Sequence, residues 1–491
     1  MRTDIEYTNR QLIPRWLTYN KACLLNFRSN FNAQPINEVE KTNYDIAIEE
    51  WKQNKSISYA QNIIASAHTL ELEQDVYYRE AIDYLIAKDF DKNTLFENML
   101  GKRDNNPICC HEKENDSASS MEIHKTRKLV RDYPNDSLRW MDLAYCYLVA
   151  GNQRNAEKYI RVALSLNSSN AHIIRSAARY FVYKEDPEKA LHIIRTASSF
   201  NSNPLLLSSE ISICEAFDMK SRAIKNAREK LFDRNFSLGQ LSELNATFAT
   251  LEFNNGSSKK GKKFLENALS TPNENTLAQA QFLIRKFDGS FDPTRFEIPC
   301  RYEADAWNYY QKMDFKDSLL QARQWFYYQP FSSRPAVLYS YLQSLIFENN
   351  AEAIRLLNDA LRLSKCDFSL INNKTVALAQ NGNIKEAILE LEKLKSFTDI
   401  DEGERGVMLA TMGLIEYRKS NSMLGRKYYK EAIDILKKLK HQSRECIAYY
   451  YWYREEEKFD KVESDKLYQI TKEIAEKYNY TDIKYKLKIE T

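Results

Sequence analysis

The sequence predicts an all-α protein, an α-solenoid of stacked helical hairpins with a divergent helical region at its N-terminus. Three observations carry this expectation. Apolar residues recur at helical spacing in pairs of segments, the pattern returns after 34 residues in two separate places, and Gly and Pro number only 11 each in 491 residues. A strand-and-turn fold needs more of both for its tight turns. A chain of this length exceeds what one core usually organises, so an array or several domains is expected.

The clearest unit runs from Ser137 to Asn170. Trp140, Leu143, Ala144 and Tyr147 fall at i, i+3, i+4 and i+7, one face of a helix. Gly151 breaks the chain, and Ala156, Ile160 and Ala163 mark a second helix. The next unit, Ala171 to Pro204, repeats this 34 residues later with Ile174, Ala177, Ala178 and Phe181, then Ala190, Ile194 and Ala197. Small residues let two helices approach closely, and large ones fill the space between successive pairs. This spacing resembles the tetratricopeptide repeat, with its Trp-x-x-Leu-Gly-x-x-Tyr, Ala-x-x-x-Phe and Pro pattern over 34 residues.

Further segments follow with more drift. Ser242 to Asn275 carries Phe248, Ala249, Gly256 at the corner, Gly261 at the close contact, Leu265 and Ala268. Trp307, Tyr310, Ala322 and Phe326 suggest a shortened unit, and Arg334 to Cys366 carries Ala353, Leu357 and Ala360. Gly382, Ala387 and Leu391 mark the next, and Met412, Gly413, Gly425, Tyr429 and Ala432 another. Met121 to Tyr133, ahead of Pro134, reads as the second helix of an earlier unit, whereas residues 205 to 241 are helical in pattern but fit the repeat poorly.

These readings divide the chain into an N-terminal helical region over 1–120 ending in a polar loop from Gly101 to Ser120, and a first repeat array over 121–288. A junction over 289–303, holding a Gly and two Pro, leads to a second array over 304–440. Residues 441–491, with the aromatic stretch Tyr449 to Tyr453 and an amphipathic helix from Lys466 to Tyr478, read as caps.

The net charge of +3 gives no concentrated basic face for nucleic acid. Eight Cys, only Cys109 and Cys110 adjacent, read as reduced thiols in a cytoplasmic protein. No apolar run is long enough for a membrane span. Gly256 to Lys263 is similar to a phosphate-binding loop, but Lys263 replaces the hydroxyl residue that would hold Mg²⁺, and no apolar strand precedes it. Asp89 to Asn93 opens like a calcium loop, yet Thr94 and Leu100 stand where Gly and Glu belong. Cys109, Cys110, His111 and His124 offer zinc-ligand types, but adjacent cysteines seldom ligate one ion and the polar surroundings read as a loop, so no metal and no cofactor is expected. No catalytic signature is present in the order of the chain, and none is assigned around His68.

The resemblance implies a concave groove lined by the second, fifth, ninth, twelfth and thirteenth positions of each first helix. In the unit from Ala171 these are His172, Arg175, Arg179, Val182 and Tyr183. The two arginines, one turn apart, suit a carboxylate or acidic peptide. The preceding unit gives Leu138, Met141, Tyr145, Leu148 and Val149, an apolar neighbour, and a later one gives Ser369, Asn372, Val376, Ala379 and Gln380. Asn372 suits a peptide backbone. The competing reading of Arg175 and Arg179 is as solvated helix residues paired with acids such as Glu185. The expected function is a non-catalytic scaffold or adaptor that holds a partner protein or peptide in this groove. The alternative is a regulator, of the kind used in bacterial stress or phage defence, whose region 1–120 reads a signal while the repeats hold an effector.

Overall fold

Helix follows helix throughout, and no strand occurs among the described residues. The structure is a computed structural model describing residues 10–18, 38–56, 59–60, 63–64, 67, 75–87, 116–233, 235–286, 291–364, 366–398 and 400–489. It divides into two compact units, Asn26–Glu112 and a larger one that joins Met1–Leu25 to Lys113–Thr491. Residues 10–18 thus belong to the same unit as the helices that follow residue 113.

In the smaller unit, α1 (Glu38–Gln53) and α2 (Val76–Ala87) share a core of Tyr44, Ala47, Trp51, Ile63, Ala81 and Leu85. The Trp51 ring meets Tyr84 edge-on at 5.1 Å, and its indole N–H reaches Glu80 at 3.4 Å.

The larger unit opens with α3 (Asp116–Asp132), so the end of the expected polar loop is helical. Hairpins follow: α4 (Ser137–Val149) with α5 (Gln153–Leu166), α6 (Ala171–Tyr183) with α7 (Pro187–Thr196), α8 (Pro204–Ala216) with α9 (Ile224–Lys230), and α10 (Leu238–Asn254) with α11 (Ser258–Leu269). After α12 (Glu274–Lys286) a short 3-10 turn at Pro293–Arg295 takes the place of a second helix. Pairing then resumes with α13 (Tyr302–Gln311) and α14 (Phe315–Tyr328), α15 (Ser333–Tyr341) and α16 (Asn350–Leu363), and α17 (Phe368–Gln380) and α18 (Ile384–Lys395). The last hairpins are α19 (Glu402–Arg418) with α20 (Ser422–Lys438) and α21 (Gln442–Glu456) with α22 (Lys461–Lys477), before a final α23 (Thr481–Lys486). The array is an α-solenoid of helical hairpins, and residues 441–491 contain one more hairpin and a final helix.

One corner design recurs. A residue with positive φ ends the first helix, and the next residue caps the second: Gly151 (φ 77) before Asn152, Glu185 (57) before Asp186, Met313 (57) before Asp314, Ser420 (64) before Asn421. The capping residue's N–H returns to the helix it leaves, as from Asn152 to the Tyr147 carbonyl at 2.9 Å. Its side chain accepts from the helix it opens, as Asn152 does from the Asn155 N–H at 3.1 Å. A single Asn or Asp therefore satisfies backbone groups at two helix ends. The phosphate-loop lookalike shares the backbone part of this corner: Gly256 has φ 76 and the Ser257 N–H returns to the Glu252 carbonyl at 2.8 Å. The Ser257 side chain makes no cap bond to α11, and Lys259, Lys260, Lys262 and Lys263 are exposed.

The small residues sit where the helices touch. Ala156, Ala163, Ala177, Ala190 and Ala353 are fully buried. Between α19 and α20 the approach is closer still. A Cβ on Gly425 would stand 2.5 Å from the Tyr417 ring and 3.2 Å from the Gly413 carbonyl. Tyr417 is itself buried and cannot swing away. Gly425→Ala is expected to destabilise the unit by about 1–3 kcal/mol through overpacking. The check is a urea melt, and an unmoved midpoint would show that the hairpin parts without strain.

The array also curls back on itself. The Arg179 guanidinium and the Tyr183 hydroxyl on α6 donate to the Phe331 and Leu363 carbonyls, 152 and 180 residues away. Buried Asp482 on α23 accepts from Tyr310 at 2.6 Å and from Tyr341. This curl gives the first helices a common lumen.

Candidate functional site

The lumen already holds a piece of the chain. Residues 10–18, Arg-Gln-Leu-Ile-Pro-Arg-Trp-Leu-Thr, form neither helix nor strand, yet Leu12 is fully buried and Trp16 is 2% exposed. A non-helical segment must find partners for its backbone outside itself, and here it finds them on α12. The Gln279 amide donates to the Arg10 carbonyl at 2.9 Å, and the Asn275 amide to the Ile13 carbonyl at 3.4 Å.

Its side chains are received in turn. Arg10 donates to both oxygens of Glu303 (2.8 and 3.0 Å), to Gln279 (2.5 Å) and to Asn275 (2.9 Å). Leu12 packs with Ala246 and Ala268. Arg15 pairs with Glu303 at 2.8 Å and Glu274 at 3.5 Å. Trp16 enters an aromatic setting of Tyr145, Tyr180 and Phe331, at ring distances of 5.7, 6.4 and 5.3 Å.

Electrostatically, Glu303 is the hub. It binds Arg334 at 2.7 Å as well as both arginines of the segment. Burial alone would raise its carboxyl, but Arg10 and Arg334, joined by Arg15, hold it well below the usual carboxylate range. Glu274 is shifted the other way, raised by burial despite Arg15. Burial pulls the Arg179 guanidinium down to about 10, with nearby Arg15 adding to the effect. Arg334 falls to about 10 as well, burial and the repulsion of Arg10 outweighing the pull of Glu303.

Of the residues expected to line the groove, Tyr145 touches Trp16, and Arg179 lines a cavity beside the segment. Arg175 is half-buried and pairs with Glu243 at 2.5 Å, not with Glu185. Tyr183 packs its ring 5.9 Å from Phe331. Asn372 is fully buried between hairpins, where it accepts from Thr411 at 2.8 Å. His172, close to Arg175, has its pKa lowered to about 4, first by burial and then by that guanidinium. Its folded value lies below the unfolded one near 6.5. The stability it contributes is therefore present above about pH 6.5 and is lost as pH falls towards 4. Melting midpoints measured from pH 7 to 4 should fall, and His172→Gln should flatten that slope. An identical slope in the variant would remove His172 from the account.

Reasoning from the sequence missed Asn275, Gln279, Glu303, Arg334 and the segment itself. The calcium-loop lookalike, Cys109, Cys110, His111 and His68 lie outside the described residues. Among the described residues no three His, Cys, Asp or Glu are grouped to hold a metal ion. No helix among them is long and apolar enough to cross a membrane.

No family model matches the chain, and no curated protein matches it. Solved structures similar to it include the Cut9–Hcn1 hetero-tetramer of the APC/C, with TM-score 0.46 and 10% identity over 93% of this chain and 86% of that one. Yeast Tom70 follows with TM-score 0.33 and 12% identity over 91% and 95% of the two chains. The human IFIT1 dimer with PPP-AAAA has TM-score 0.32 and 12% identity over 90% and 96%. Likenesses this distant carry no functional argument, so function has to be read from the lumen.

Proposed function

We propose that the solenoid is a protein-interaction scaffold whose lumen takes a peptide segment, and that residues 10–18 hold that place in cis. The observation that carries this reading is the reception of both backbone and side chains of the segment. Asn275 and Gln279 bond its carbonyls, Glu303 takes its arginines, and Tyr145, Tyr180 and Phe331 enclose its indole. Main-chain bonds supply affinity and side-chain stations supply specificity, as in other modes of peptide capture. Tyr145, Arg179 and Tyr183 belong to this wall. An acidic partner reaching Arg175 would first have to displace Glu243. A partner whose segment resembles residues 10–18, with arginine, aliphatic and aromatic groups in that order, takes over bonds that are already formed.

The test is binding in trans. A labelled peptide of residues 9–18 is titrated into the full chain and into a variant carrying Arg10→Ala and Trp16→Ala. The variant should bind it, and the wild type should bind on the order of 10- to 100-fold more weakly, because its tethered segment competes at high effective concentration. The reading fails if neither chain binds the peptide, or if a scrambled peptide binds equally well.

A further inference from the structure

Where residues 10–18 meet the lumen wall there is a cavity of about 380 Å³, within the range of small-molecule sites. Arg10 and Arg15 of the segment, Arg179 and Arg334 of the wall, and Glu303 all line it. The oxygens of Glu303 are already engaged by Arg10, Arg15 and Arg334. Glu274, the other carboxylate of the cluster, reaches Arg15 at 3.5 Å. Arg179 is bonded to a neutral carbonyl, that of Phe331, and the Arg334 Nε is buried without a hydrogen-bond partner. Among the described residues the cluster holds two more guanidiniums than carboxylates. Buried charges of one sign repel strongly and need a counter-charge.

We propose that this cavity binds a small multivalent oxyanion, carrying phosphoryl or carboxylate groups, which is held by Arg179 and Arg334 of the wall, neutralises the excess charge they share with Arg10 and Arg15, and so locks residues 10–18 in the lumen. Guanidiniums pair strongly with such groups. Arg334, through its unpartnered Nε, and Arg179 donate to the anion. Arg10 and Arg15, whose N–H groups are engaged by Glu303, Gln279, Asn275 and Glu274, add positive charge beside it. Trp16, Trp325 and Phe331 line the same cavity as apolar walls. The site needs only the seated segment and is independent of which partner later competes for the lumen. Its failure would therefore leave the peptide titration untouched.

The full-length chain is titrated with inorganic pyrophosphate and, separately, with citrate, at ionic strength held constant with sodium chloride. The readouts are the melting midpoint and the rate of tryptic cleavage after Arg10 and Arg15. The expected result is a saturable rise in midpoint and a fall in cleavage rate on the order of tenfold or more once the anion exceeds its Kd tenfold. A response to pyrophosphate alone assigns a phosphoryl ligand, and a response to citrate alone a carboxylate one. Arg179→Gln and Arg334→Gln should each weaken the apparent affinity about tenfold, the loss of one charge-assisted contact. The proposal is overturned if neither anion acts beyond chloride on the wild type, which needs no variant to fold. It is equally overturned if both variants keep the full response.

Discussion

Glu303→Gln is expected to destabilise the larger unit by about 3–5 kcal/mol, the range for breaking a buried ion pair by removing one partner. The substitution is nearly isosteric, so no cavity confuses the result. It leaves Arg10, Arg15 and Arg334 facing a neutral amide at sites where the carboxylate now stands 2.7–2.8 Å away. The pH dependence has a definite sign. The folded carboxyl lies below its ordinary value near 4.5, so its contribution is complete above that pH and is lost as pH falls towards the folded value. Urea midpoints of wild type and variant should therefore differ most near neutrality and converge in acid. Equal midpoints at pH 7 would remove Glu303 as the hub of the lumen.

Trp16→Ala should have the next largest effect, and its size has a ceiling. Removing a buried tryptophan from a core costs about 3–5 kcal/mol. The segment, however, can leave the lumen without the helices unfolding, so the loss saturates at the free energy that docks residues 10–18. Each 1.4 kcal/mol of that loss raises the undocked fraction about tenfold. Tryptic cleavage after Arg15 should accelerate by one to three orders of magnitude while the global melt shifts less. Trp16→Phe, which keeps a ring beside Tyr145 and Phe331, should lie between. A cleavage rate unchanged by Trp16→Ala would mean that the indole does not hold the segment.

The hairpins were legible because their signal is local. The alanines and glycines that mark each close contact lie on the same helices as the stripes they complete, and Ala156, Ala163, Ala177 and Ala190 are all fully buried. The stretch 205–241 was obscure for a physical reason. α8 is enclosed on nearly every side, so it carries no apolar stripe against a polar face. Ser208 and Ser212 bond Thr247, and Glu210 takes Arg195, which makes buried polar side chains resemble surface ones in sequence. The segment 10–18 has no periodicity to read, and the described groups it packs and bonds with, among them Tyr145, Ala246, Asn275 and Glu303, lie more than 100 residues away. The groove was half legible. The positions applied to α4 and α6 included Tyr145 and Arg179, and the second position of α12, α13 and α15 is Asn275, Glu303 and Arg334. The same register puts Asn372 of α17 against Thr411, since there the neighbouring hairpin covers that face.

The curl of the array changes what kind of object it is thermodynamically. Stacked repeats that touch only their neighbours form a one-dimensional chain, in which an end can melt while the middle persists. Here Tyr183 is tied to Leu363, Arg179 to Phe331 and Tyr310 to Asp482. Each tie closes a loop of well over a hundred residues, so melting an intervening repeat also forfeits contacts at both ends of that loop. The unit should therefore unfold in one steep transition without stepwise fraying. It should also fold slowly for an all-helical protein, since its stabilising contacts come late and from far apart in the chain.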